Sequence, residues 1–72
     1  MNDIENRIEY LESKVKEYKN ELRRLKTTIN KVEKLGLTIP PELLIIKKDV
    51  EIILKERKQE LKLQKKIAEI IK

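Results

Sequence analysis

The side chains best placed to do chemistry are Arg57 and Gln64, polar residues set into an otherwise aliphatic helical face, together with Ser13 and the carboxylate pair Glu56 and Glu60. An arginine and a glutamine can each donate hydrogen bonds to an anionic group. Two carboxylates four residues apart share one side of a helix and can share a cation. Each also has a plainer use. Arg57 can lay its guanidinium along the Tyr18 ring with its head in solvent, or fix the register of a helix pair. Glu56 and Glu60 have Lys55 and Lys58 close by and are expected to form surface ion pairs instead. Ser13, the sole serine, has no candidate base beside it and reads as an exposed helix position.

The rest of the composition narrows the chemistry further. With no histidine and no cysteine, the commonest general base, the thiol nucleophile and the usual zinc ligands are all missing. One glycine, Gly36, cannot build a phosphate-cradling loop. No cofactor, metal or small-molecule substrate is expected. The remote enzyme alternative is a small all-helical mutase of the chorismate mutase type, but that family has three helices and a spaced arginine motif, and this chain reads as two helices without the motif.

Basic residues offer a different surface. Residues 14 to 26 carry Lys14, Lys16, Lys19, Arg23, Arg24 and Lys26 against Glu17 and Glu21, and residues 55 to 66 carry Lys55, Arg57, Lys58, Lys62, Lys65 and Lys66 against Glu56 and Glu60. A band of this kind can follow a phosphate backbone with salt-sensitive affinity. Lysine-rich outer faces are also what a solvated coiled coil shows, and Tyr10 and Tyr18, the two aromatics, are too few for a stacking platform.

Two elements must position these groups. Ile4, Ile8, Leu11, Val15, Tyr18, Leu22, Leu25, Ile29 and Val32 alternate steps of four and three, a heptad seam that predicts a helix over about 3–35. Asn2 and Glu5 have capping-box spacing at its start. Gly36 suits the left-handed residue that ends a helix, with Leu37 placed to close on Val32. Pro40-Pro41 interrupts the chain, so 36–40 is read as a turn and Pro41 as the first residue of a second helix over about 41–72, with Glu42 at its positive end. A short connection makes the helices antiparallel neighbours. Register then brings Ile4 near Ile71, Ile8 near Ile67 and Ala68, Val15 near Leu61, Leu22 near Leu54 and Leu25 near Val50. It also sets the acidic start of helix one, Asp3, Glu5, Glu9 and Glu12, beside Lys65, Lys66 and Lys72.

The second helix carries more apolar surface than this pairing uses. Its main face is Leu43, Ile46, Val50, Ile53, Leu54, Leu61, Ile67, Ala68 and Ile71, interrupted by Arg57 and Gln64. A second line, Ile45, Ile52, Leu63 and Ile70, lies about 150° away, with Asp49, Glu56 and Glu60 between. Helix one has no such second line. Four aliphatic side chains at helical spacing imply a protein interface, most simply a homodimer that forms a four-helix bundle, otherwise a larger protein partner.

Size and charge point the same way. Seventy-two residues bury little surface, and without disulfide or zinc staples association is the remaining source of stability. Charged residues make up 43% of the chain and its net charge is +5, which favours an acidic partner. The Lys, Glu and Ile excess resembles hyperthermophile composition, a bias that coiled coils share. Leu43 to Ile46 is the longest apolar run, so no membrane span and no signal peptide are expected, and a cytoplasmic protein is. The expectation is an all-α antiparallel hairpin acting as a non-enzymatic assembly module. A small basic subunit of a replication, repair or transcription assembly is the alternative, with nucleic acid as partner.

Overall fold

The computed structural model describes residues 3–71, which form two helices, α1 (Asp3–Lys34) and α2 (Pro41–Ile70), packed against each other as a hairpin. Heptad spacing makes α1 one uninterrupted amphipathic rod, and no Gly or Pro occurs within it. Asp3 and Glu5 in its first turn and Lys31 and Lys34 in its last complement the helix dipole. Asn2, half of the expected capping box, lies outside the described residues.

The end of α1 closes as its glycine predicts. Gly36 has φ +72, its N–H donates to the Glu33 carbonyl at 3.0 Å, and the Leu37 N–H donates to the Val32 carbonyl at 3.2 Å. These are the two reversed bonds of a Schellman motif, which satisfy carbonyls that the helix end leaves free. The hydrophobic part of that closure is weak, because the Leu37 side chain stays 61% exposed. Pro40 caps α2 with φ −58 and ψ 131, and its carbonyl accepts the Leu43 N–H at 3.0 Å. Pro41 at the first helical position has no N–H to leave unpaired. Helix α2 ends at Ile70, and Lys72 lies outside the described residues.

The result is a rod of 55 × 15 × 14 Å. Leu11, Val15 and Ile29 of α1 and Val50 and Leu54 of α2 are buried, and the other seam residues from Ile4 to Val32 are half-buried. Leu43, Ile53, Leu61, Ile67 and Ala68 on the facing side of α2 are half-buried as well. Two expected members of that face are more open: Ile46 is 43% exposed and Ile71, one residue past α2, is 54% exposed. A single seam between two cylinders covers positions at its centre and leaves its margins and ends to solvent. Among the described residues, no helix is long and apolar enough to cross a membrane.

Candidate functional site: the outer face of α2

Ile45, Ile52, Leu63 and Ile70 all point away from α1, with exposures of 61%, 48%, 56% and 81%. They follow one another at seven, eleven and seven residues, which are near-whole numbers of helical turns, so they share one line about 37 Å long. Asp49, Glu56, Gln59 and Lys66 occupy the intervening positions of that line and are exposed too. Aliphatic groups aligned on a slender rod present a ridge to solvent, which suits packing against another helix more than enclosing a small molecule.

The closed end of the hairpin adds exposed aliphatics outside that line: Leu35 at 72% and Leu44 at 49%, which the pattern did not single out, and Leu37 at 61%, which was expected to close on Val32. Their signal in the sequence was their position. Leu35 and Leu37 flank the glycine that ends α1, where no second turn of helix follows to cover them.

Polar residues along the hairpin divide into two different sides. On one, Lys19 of α1 meets Lys58, Lys62 and Lys65 of α2 around a shallow depression floored by Val15 and Leu61. Lys16 lines an adjoining depression that shares Val15, Lys19 and Leu61. The structure thus brings five of the expected basic residues together across the helices. Lys14 is elsewhere, donating to Glu17 at 3.2 Å with its Nζ 5.6 Å from the centre of the Tyr10 ring. The hydrogen bond and charge of Glu17 raise the Lys14 pKa above the ordinary lysine value. Arg23 donates to Asn20 at 3.2 Å, and Arg24 lines a separate depression along α1 with Glu17 and Glu21. Lys26, Lys55 and Lys66 are exposed without joining the lysine cluster. The basic residues expected to form a band around the middle of the rod are thus distributed over its two flanks.

The other side is held by Glu60. Its carboxylate accepts from Arg7 of α1 and from Arg57 Nη1 at 3.3 Å, with the Arg7 guanidinium 5.4 Å from the Tyr10 ring centre. The Arg7 hydrogen bond lowers the Glu60 pKa, against an opposing contribution from burial. Sequence register places Arg7 level with Ala68, yet the side chain reaches two turns along α2. It also reverses the expected polarity, since the base comes from α1 and the acid from α2. Arg57 turns to Glu60, and the cation–ring contacts among the described residues are made to Tyr10 by Arg7 and Lys14 rather than to Tyr18 by Arg57. Among the described residues no group of three or more side chains is gathered to hold a metal ion.

What these features define is a helical hairpin with one apolar outer ridge, one lysine-rich side and one ion-paired side. No family model, curated protein or solved structure matches the chain.

Proposed function

We propose that the chain is a non-enzymatic interaction module that associates with copies of itself through the outer face of α2, two hairpins building a four-helix dimer that is a row rather than the closed bundle expected from sequence, because that face lies nearly opposite α1. The observation that carries this reading is the exposure of Ile45, Ile52, Leu63 and Ile70 along one line of one helix. Covering them removes apolar surface from water at about 25 cal/mol per Å². It also supplies the second layer that a hairpin with five buried side chains among its described residues lacks. Light scattering over a concentration series tests it. The expected result is a mass that rises to twice that of the chain, and a variant carrying Ile52→Glu and Leu63→Glu that stays monomeric and helical. A wild-type mass equal to one chain at every concentration would overturn the proposal.

A second reading has its own support in the cross-helix cluster of Lys19, Lys58, Lys62 and Lys65. On this reading the hairpin is a basic accessory subunit whose lysine side follows a phosphate backbone. Titration with duplex and single-stranded DNA at two salt concentrations is expected to show binding that weakens steeply with salt. Lys58→Glu with Lys62→Glu should abolish it. Failure of wild type to bind either nucleic acid at low salt removes the reading. The mutase alternative has no comparable support, because Arg57 is engaged by Glu60.

A further inference from the structure

The outer ridge of α2 has a symmetry that specifies how a second copy would lie on it. Its positions advance by alternating steps of four and three from Ile45 to Ile70, the spacing of a coiled-coil seam. Consider a point on the helix midway between Arg57 and Lys58. Ile45 and Ile70 are equidistant from it, as are Asp49 and Lys66, Ile52 and Leu63, and Glu56 and Gln59. Each apolar residue thus mirrors an apolar residue, and the one basic position mirrors an acidic one.

An antiparallel two-fold dimer superposes a helix on its own reversal, so residues equidistant from the axis meet. From this match we infer that two copies pack α2 against α2 in antiparallel orientation, with the two-fold axis crossing between Arg57 and Lys58. Ile45 then packs against Ile70 of the partner subunit, and Ile52 against Leu63 of the partner subunit. Asp49 meets Lys66 of the partner subunit, and Gln59 donates its amide N–H to Glu56 of the partner subunit. Neither Asp49 nor Lys66 has an ion pair within the described residues, so both are free to make that contact. The margins agree in part. Lys48 faces Glu69 of the partner subunit and the half-open Ile46 faces Ile67 of the partner subunit, while Lys55 opposite Lys62 of the partner subunit is a like-charge contact at the solvent edge.

A parallel dimer on the same ridge brings each residue against itself. It stacks Asp49 on Asp49, Glu56 on Glu56 and Lys66 on Lys66 in the seam, three like-charge layers that the antiparallel pairing avoids.

This inference rests on self-association through the ridge, and the test separates the two. The chain has no cysteine, so single cysteines at exposed positions report contacts cleanly. In the antiparallel dimer the two copies of residue 52 lie eleven residues apart along the axis, roughly 16 Å, well beyond disulfide reach. Ile52→Cys alone and Leu63→Cys alone should therefore stay uncrosslinked on oxidation, while an equimolar mixture should yield a covalent heterodimer. Asp49→Lys and Lys66→Asp should each weaken association about tenfold, and the double swap should restore it. Crosslinking of Ile52→Cys with itself overturns the antiparallel arrangement and keeps self-association. A dimeric mixture without crosslinks overturns the register, and a mass of one chain at all concentrations overturns both.

Discussion

Helices α1 and α2 are nearly equal in length and share one seam, yet they dress their outer faces differently. Outside that seam, α1 exposes Tyr10 as its one large hydrophobic residue, and Tyr10 is occupied by Arg7 and Lys14. Helix α2 exposes Leu44, Ile45, Ile46, Ile52, Leu63 and Ile70. For α1, pairing within the hairpin accounts for nearly all of its aliphatic side chains. For α2 it accounts for about half. The same hydrophobic effect acts on both, so the excess on α2 marks the side of the rod that the hairpin itself leaves uncovered and on which the proposed second copy would pack.

The largest effect expected from this contrast comes from paired truncations, Leu11→Ala in the seam and Ile52→Ala on the ridge. Leu11 is fully buried, so its truncation removes transfer free energy and leaves a cavity, about 3 kcal/mol in a chain with little to spare. Ile52→Ala should change the stability of the isolated hairpin by no more than about 0.5 kcal/mol. Urea melts in dilute solution measure both. At higher concentration the order of interest reverses. The wild-type midpoint should rise with concentration because association favours the folded chain, and Ile52→Ala should flatten that rise. Equal destabilisation of the dilute hairpin by the two variants would mean that the ridge packs within one chain, and the contrast between the helices would collapse.

How much of this was legible in advance follows the range of the forces involved. The helices, the Gly36 closure and the Pro41 start are set by backbone preferences local to a few residues, and the order of residues carries them directly. The line of Ile45, Ile52, Leu63 and Ile70 was equally plain, because it needs only the helical period. The side chains that cross between helices were not. Arg7 reaches Glu60 through several rotatable bonds along the groove, and no residue-level register foresees which of many carboxylates such a chain will find. The sides taken by the basic residues were not legible for a related reason. A count of charges along the chain ignores azimuth, and azimuth sends Lys14 and Arg24 to one flank while Lys16, Lys19 and Lys58 take the other.

The smallest effect concerns Glu60, which lies between the two apolar lines of α2 and is the point where α1 reaches past the seam. Its side chain is 27% exposed and accepts from both Arg7 and Arg57. Because the Arg7 hydrogen bond holds its folded pKa below the ordinary carboxylate value of 4.5, the ionised form favours the folded chain. That contribution is fully present above pH 4.5 and is lost as pH falls from there through the depressed folded value. Glu60→Gln should therefore be slightly less stable than wild type at neutral pH, and the gap should close as the solution is acidified below 4.5. Added salt should shrink the gap at neutral pH, since both arginines are partly in solvent. Urea melts of both proteins at neutral and acidic pH measure the gap. A gap that persists unchanged in acid would assign the loss to the hydrogen bonding of the terminal group rather than to its charge, and would remove the ion pair with Arg7 and Arg57 as its cause.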